Sequence, residues 1–261
     1  MQQAQIPSVD EIPLYVGKKT KITLPSSKQI TIRERNGDDD DIISDQQLGK
    51  DGTNIFAFVA AITEIDHDLN RKPTVAEIKQ WPTNDVYAVL LKQYIANFGK
   101  DMKFTHLCQN EDCGHEAKYS EDLSLVDGDM EDPNYKPKNS LALRKYPNGK
   151  TLEILFKTSS GKELKYKILN YELAKKELEE VGATKNSPLK FRELQIKNKD
   201  SWVDVKHFGM FSPKDMVEIR QNVRDNDPLF QPNVNFSCAK CQMPYSVVLW
   251  QLGAFYYPEE I

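Results

Sequence analysis

Four cysteines stand in two chelating pairs: Cys108 and Cys113 are separated by four residues, Cys238 and Cys241 by two. Zinc prefers four soft or borderline ligands at the corners of a tetrahedron, and thiolates at this spacing are delivered by one tight turn. Strand-like residues bracket both pairs, 103–107 and 116–119 around the first, 234–236 and 245–249 around the second. Each pair therefore sits on a hairpin, and two such knuckles are the layout of a zinc ribbon. The expectation is one structural zinc per chain on Cys108, Cys113, Cys238 and Cys241, with every cysteine of the sequence used. Competing readings are a redox or disulfide pair, although a redox Cys-x2-Cys normally opens a helix and none follows Cys238, and unligated core thiols. Iron suits a tetrathiolate as well as zinc does.

A closed tetrathiolate keeps no position for water, so it does no hydrolysis and acts on folding instead. His106 and His115 flank the first pair and read as solvent-facing residues, since four thiolates already complete the shell. No Gly-rich phosphate loop, Gly-x-Ser-x-Gly elbow or His-Glu-x-x-His occurs. Ser159–Ser160–Gly161–Lys162 superficially resembles a phosphate loop but lacks the upstream glycine and lies between two strands. No catalytic residue is assigned and a non-enzymatic role is expected.

The elements that must bring the knuckles together lie on both sides of them. Residues 1–19 read as an irregular arm. Strands over 21–24 and 29–33, joined at Pro25–Ser26–Ser27, precede an acidic helix start at Asp38–Asp41. Apolar residues predict a buried helix over 54–63 and a short one over 74–80. Thr83 reads as the cap of a helix over 84–98, with Tyr87, Leu91, Tyr94 and Phe98 as its stripe and Gly99 as a left-handed stop. After a proline-containing break at 127–140, strands over 151–157 and 163–168 form a hairpin, followed by a helix over 171–180. Residues 185–200 read as a basic loop. Ser212–Pro213–Lys214–Asp215 is a capping-box start for a helix with Met216, Ile219 and Val223 on one face, ended by Asp227–Pro228.

The organisation expected is α+β: a split zinc-ribbon core, an N-terminal helical part and an inserted mid-chain α+β lobe. In boundaries, 1–19 is the arm, 20–126 the strand pair, helices and first knuckle, 127–233 the inserted lobe, and 234–261 the second knuckle with an aromatic tail. A net charge of −4 and a pI near 5.7 give no general attraction to nucleic acid or anionic membrane. No apolar run approaches the roughly 20 residues of a membrane span, no secretory leader is apparent, and sparse cysteines fit a reducing compartment. The tail residues Trp250, Phe255, Tyr256 and Tyr257 are either a partner-binding surface or a cap on the chain's own core. A zinc-ribbon nucleic-acid module is the alternative function, resting on Lys185, Lys190, Arg192, Lys197 and Lys199 with Phe191 and Trp202 for stacking. Against it stand the interleaved Glu193, Asp200 and Asp204, so nucleic acid is not the expected partner.

In the order and spacing of these features the sequence resembles the baseplate hub assembly proteins of T-even-type tailed phages. The likeness runs through Leu24–Pro25–Ser26, the strand over 30–33, the acidic run, the helix over 85–98, the first knuckle and Asp122–Leu123. It continues through Met216 to Arg220, Asp227–Pro228, the second knuckle and Phe255–Tyr256–Tyr257–Pro258. The first knuckle departs from the tighter Cys-x2-Cys form, and 127–165 has no counterpart. The resemblance implies a structural subunit or assembly chaperone that binds other tail proteins in a symmetric multi-copy assembly. It would act in the host cytoplasm during assembly and then in the virion baseplate.

Overall fold

A computed structural model describes residues 15, 17–50, 52–65, 71–123, 145–147, 152–179, 187–227, 233–249 and 252–256. Strands β1 (Lys19–Thr23) and β2 (Gln29–Arg33) form a hairpin whose turn is closed by Ser27 N–H donating to Leu24 O at 2.7 Å. β3 (Thr63–Ile65) adds antiparallel to β2, with Ile30 opposite Ile65. The acidic run is, as expected, the first turn of a helix, α1 (Gly37–Ser44). Asn36 and Asp39 make a capping box there, and Asp39 also takes a two-pronged bond from Arg33 at 2.7 Å on each arm. These carboxylates therefore serve a helix N-terminus and, through the buried Asp39, the partly buried guanidinium of Arg33.

α2 (Gln46–Gly49), α3 (Thr53–Ile62) and α4 (Val75–Lys79) lead to the long α5 (Thr83–Phe98). Two details of α5 differ from the sequence expectation. Pro82 occupies the cap position, and Thr83, already helical, turns its N–H and hydroxyl to Leu169 O at 2.9 and 3.1 Å. The threonine joins two parts of the chain instead of capping its own helix. The buried surface is also wider than one stripe: Val86, Ala88, Val89, Leu90, Leu91 and Tyr94 are all buried, while Phe98 is 37% exposed. Gly99 ends the helix at φ 85° with ψ −174°, a positive-φ stop in an extended form that only glycine adopts freely.

β4 (Asp101–Leu107) and β5 (Glu116–Asp122) make the first knuckle hairpin, and β10 (Asn233–Ser237) and β11 (Pro244–Val248) the second. Between them lies a four-stranded antiparallel sheet in the order β6 (Glu153–Lys157), β7 (Glu163–Lys167), β8 (Gln195–Asn198), β9 (Ser201–Asp204). It carries α6 (Tyr171–Glu179), α7 (Ser187–Phe191) and α8 (Pro213–Asn226). The stretch expected to be a basic loop is thus α7 and a β8–β9 hairpin, with Lys199 at φ 53° in the turn. α8 opens on the expected Ser212 and Asp215 capping box with Pro213 in its first turn, and buries Met216 and Ile219.

Two hydrophobic cores result. One gathers Ile22 to Leu123 together with Val234, Leu249, Leu252 and Phe255; the other is built from Tyr146 to Ile219. The C-terminal strands and α9 (Gly253–Tyr256) therefore pack with the N-terminal helices, not with the lobe that precedes them in sequence. The lobes are joined by Thr83 to Leu169, Tyr146 N–H to Pro25 O at 3.0 Å, and the ring of Phe56 against Tyr171 at 4.4 Å. Inside the second lobe Arg192 and Asp227 form a buried ion pair at 3.0 Å, and Asp227 also accepts Leu169 N–H at 3.0 Å. Such a pair holds only while both members are present. Among the described residues no helix is long and apolar enough to cross a membrane.

Candidate metal centre

Each knuckle is a turn whose backbone bonds aim two sulfurs the same way. In the first, Cys108 N–H donates to His115 O at 2.8 Å, and Cys113 and Gly114 N–H both donate to Asn110 O at 2.9 and 3.1 Å. Gly114 reverses the chain at φ 49°. In the second, Cys238 N–H donates to Met243 O at 2.9 Å, and Gln242 N–H to Cys238 O at 3.0 Å. Gln242 takes φ 61°, the position that Gly114 holds in the first turn, immediately after the second cysteine.

The two hairpins meet through an aromatic cluster. Phe104 lies opposite Tyr119 in the first ladder and Phe236 opposite Tyr245 in the second. Phe236 stands 5.3 Å from Phe104, 4.6 Å from Tyr119 and 5.5 Å from Tyr245. His106, expected to face solvent, is instead half-buried in this cluster, 5.0 Å from Phe236 and 4.4 Å from Tyr245. Strand alternation puts it on the same face as Phe104, which explains the difference.

This packing brings all four sulfurs within 4.8 Å of one another. Cys108 Sγ is 3.6 Å from Cys241 Sγ, and Cys113 Sγ is 3.8 Å from Cys238 Sγ. A tetrahedron with metal–sulfur bonds of about 2.3 Å has sulfur–sulfur edges of about 3.8 Å, so the donor set fits a tetrathiolate ion. The separations lie well beyond the ~2.05 Å of a disulfide, and all four cysteines are free. Among the described residues no histidine joins the cluster: His106 turns into the aromatic layer, and His115 contributes its carbonyl to Cys108 N–H.

Two tyrosines that the cysteine pattern does not reveal cross-brace the site. The Tyr245 hydroxyl, from the second hairpin, donates to Cys108 Sγ at 3.1 Å and accepts Gln109 N–H at 2.8 Å. Tyr119, from the first hairpin, accepts Ala239 N–H at 3.3 Å. Each hairpin thus holds the residue after the first cysteine of the other. Donors also tune the sulfurs. Backbone N–H donation from Cys241, reinforced by Lys240 N–H at 3.4 Å, brings the Cys238 thiol down to about 6. The Tyr245 hydroxyl lowers the Cys108 thiol. Burial pushes the Cys113 thiol up to about 11. A bound cation reverses that last preference, because a coordinating thiol is deprotonated.

A family model described as T4 bacteriophage base plate protein matches residues 17–256, a span that contains both knuckles and both cores. The chain belongs to that base plate family. No curated protein and no solved structure matches it.

Other features singled out in this base plate chain have structural roles. Ser160 and Lys162, in the loop that resembled a phosphate site, bind Asp215 at 2.6 and 2.8 Å, while Ser159 binds Glu218 through N–H and hydroxyl at 2.7 and 2.6 Å. The turn is thereby fastened to the start of α8 by carboxylates, which would repel phosphate. Of the residues behind the nucleic-acid alternative, Phe191 is 7% exposed within the fold, Arg192 is buried against Asp227, and Lys197 is paired with Glu163 at 2.8 Å. Lys185 lies outside the described residues. Among the four tail aromatics, Phe255 is 3% exposed and stacks on Tyr94 at 5.2 Å, so this ring belongs to the chain's own core and corrects its expected partner role. Tyr256 is partly buried against the same core, at 5.3 Å from Phe255. Trp250 and Tyr257 lie outside the described residues.

Proposed function

We propose that this chain is a non-enzymatic protein of the phage tail baseplate hub, a structural subunit or assembly chaperone that binds other tail proteins, and that its four cysteines hold one zinc ion. The observation that carries the role is the base plate family match across residues 17–256. The zinc rests on sulfur separations of 3.6 and 3.8 Å, close to the edges of a zinc tetrathiolate. Its work is mechanical. It fastens the hairpin at mid-chain to the hairpin near the C-terminus, so that binding energy for the ion becomes stability of the first core.

The partners are other tail proteins in a symmetric, multi-copy assembly formed in the host cytoplasm, which the chain accompanies into the virion baseplate if it is a subunit and leaves if it is a chaperone. Trp250, Tyr256 and Tyr257 are the proposed contacts, large aromatics of the kind that dominate interface energetics. Quantitative mass spectrometry of purified tails and of their precursors tests the role. The protein should appear in baseplate-containing fractions, in mature particles if it is a subunit and in precursors alone if it is a chaperone. Absence from both would refute it. Alanine at Trp250 and Tyr257 together should reduce incorporation; unchanged incorporation removes them as contacts.

A further inference from the structure

All four sulfurs lie within 4.8 Å of one another, and two pairs that cross between the hairpins meet at under 4 Å. Cys108 meets Cys241 at 3.6 Å and Cys113 meets Cys238 at 3.8 Å. Each pair also combines a buried thiol with a more accessible one: Cys108 and Cys238 are buried, Cys241 is exposed and Cys113 is intermediate. A two-electron oxidant therefore reaches one member of each pair first and finds its partner already opposed across the interface. Closing either pair shortens a sulfur separation by only about 1.5–2 Å. The aromatic layer of Phe104, Tyr119, Phe236 and Tyr245 holds the hairpins face to face while this happens.

We propose that the cysteine cluster is also a modification site: hydrogen peroxide oxidises the four thiols to two inter-hairpin disulfides, Cys108–Cys241 and Cys113–Cys238, which would no longer hold a metal. In the first pair the Cys241 thiolate attacks a peroxide oxygen, the O–O bond breaks, and a sulfenic acid and hydroxide form. The Cys108 thiolate then attacks the Cys241 sulfur, the S–S bond forms and a second hydroxide leaves. With the two hydroxides protonated, one peroxide and two thiols give one disulfide and two waters. The second pair repeats this, with Cys113 oxidised first and Cys238 closing the bond, so the chain consumes two peroxides. The consequence is that the crosslink survives loss of its ion. A clip made in a reducing cytoplasm would persist in a particle released to an oxidising exterior. The inference rests on the zinc reading only for its starting state.

The test uses the full chain. Zinc is first measured in untreated protein; hydrogen peroxide is then added with a chromophoric chelator present, and thiols are titrated. Free thiols should fall from four to none as metal is released, with the near-UV dichroism of the hairpin aromatics retained. After alkylation, trypsin cutting at Lys240 and a glutamyl protease cutting at Glu111 place each cysteine on its own peptide. Crosslinked peptides should join Cys108 to Cys241 and Cys113 to Cys238. Pairs within a hairpin, Cys108–Cys113 and Cys238–Cys241, would overturn the inference, as would accumulation of sulfinic acids. Zinc-loaded protein that gives within-hairpin pairs defeats this inference and leaves the metal reading standing. Metal-free protein that gives the crossed pairs does the reverse.

Discussion

Replacing Tyr245 by phenylalanine separates the cross-brace from the aromatic packing. The ring keeps its place beside Phe236 and His106, while the hydroxyl that donates to Cys108 Sγ at 3.1 Å and accepts Gln109 N–H at 2.8 Å is lost. Gln109 is exposed, so water takes over its N–H at little cost. The donor to sulfur has no such replacement, because Cys108 is buried. A hydrogen bond to a charged acceptor contributes about 1.5–3 kcal/mol, and loss of an outer-shell partner typically weakens metal binding about 10–100-fold. Tyr245→Phe should therefore lower zinc affinity by one to two orders of magnitude. The deficit should grow as pH falls, since the Cys108 thiol loses the group that lowers its pKa and a proton competes better with the metal. Tyr119→Phe is the control: it loses only a 3.3 Å bond from Ala239 N–H and should cost roughly 0.5–1 kcal/mol of stability with near-normal zinc affinity. Competition against a chromophoric chelator reads both affinities. Equal losses in the two variants, or wild-type affinity in Tyr245→Phe, would mean that the Tyr245 hydroxyl does not support the site.

Three further perturbations probe the frame around the site. Asp85 is buried and bonded to Ser26, and burial pushes its carboxyl up to about 6. The folded state therefore holds a proton that the unfolded chain releases near pH 4, and this group's contribution declines as pH rises through 6. In denaturant titrations the wild type should lose up to about 3 kcal/mol across that window relative to Asp85→Asn; parallel profiles would count against it. Arg192→Ala leaves Asp227 buried without its partner and should cost about 3–5 kcal/mol, read by urea unfolding, whereas an effect below 1 kcal/mol would mean the pair is dispensable. Phe255→Ala should cost about 3–5 kcal/mol by the same measurement, because the ring fills the first core against Tyr94. An unchanged midpoint would return Phe255 to the partner surface.

The cysteine cluster was legible because chelation has a short grammar: two cysteines per turn, strands on each side, and no thiol left over. The capping box at Ser212 was legible for the same local reason. The cross-bracing tyrosines were not, since Tyr119 and Tyr245 act on turns more than a hundred residues away and nothing near either announces it. Thr83 misled because a good capping residue beside Pro82 had a stronger use, a carbonyl in the other lobe. The β8–β9 hairpin hid behind charge: its turn uses Lys199 at φ 53° where a glycine or asparagine would have signalled reversal. The break near 127–140 suggested an inserted lobe, but the division into two cores depends on tertiary contacts, Phe255 on Tyr94 and Leu249 with Leu252 in the first core, that no local pattern contains.

Elemental mass spectrometry of the full chain purified without chelator, run beside a Cys238→Ser variant, addresses the zinc clip most directly. The wild type should hold about one zinc per chain, and the variant should lose that zinc together with soluble folded protein. Folded wild-type protein with four reactive thiols and no bound metal would contradict the zinc clip.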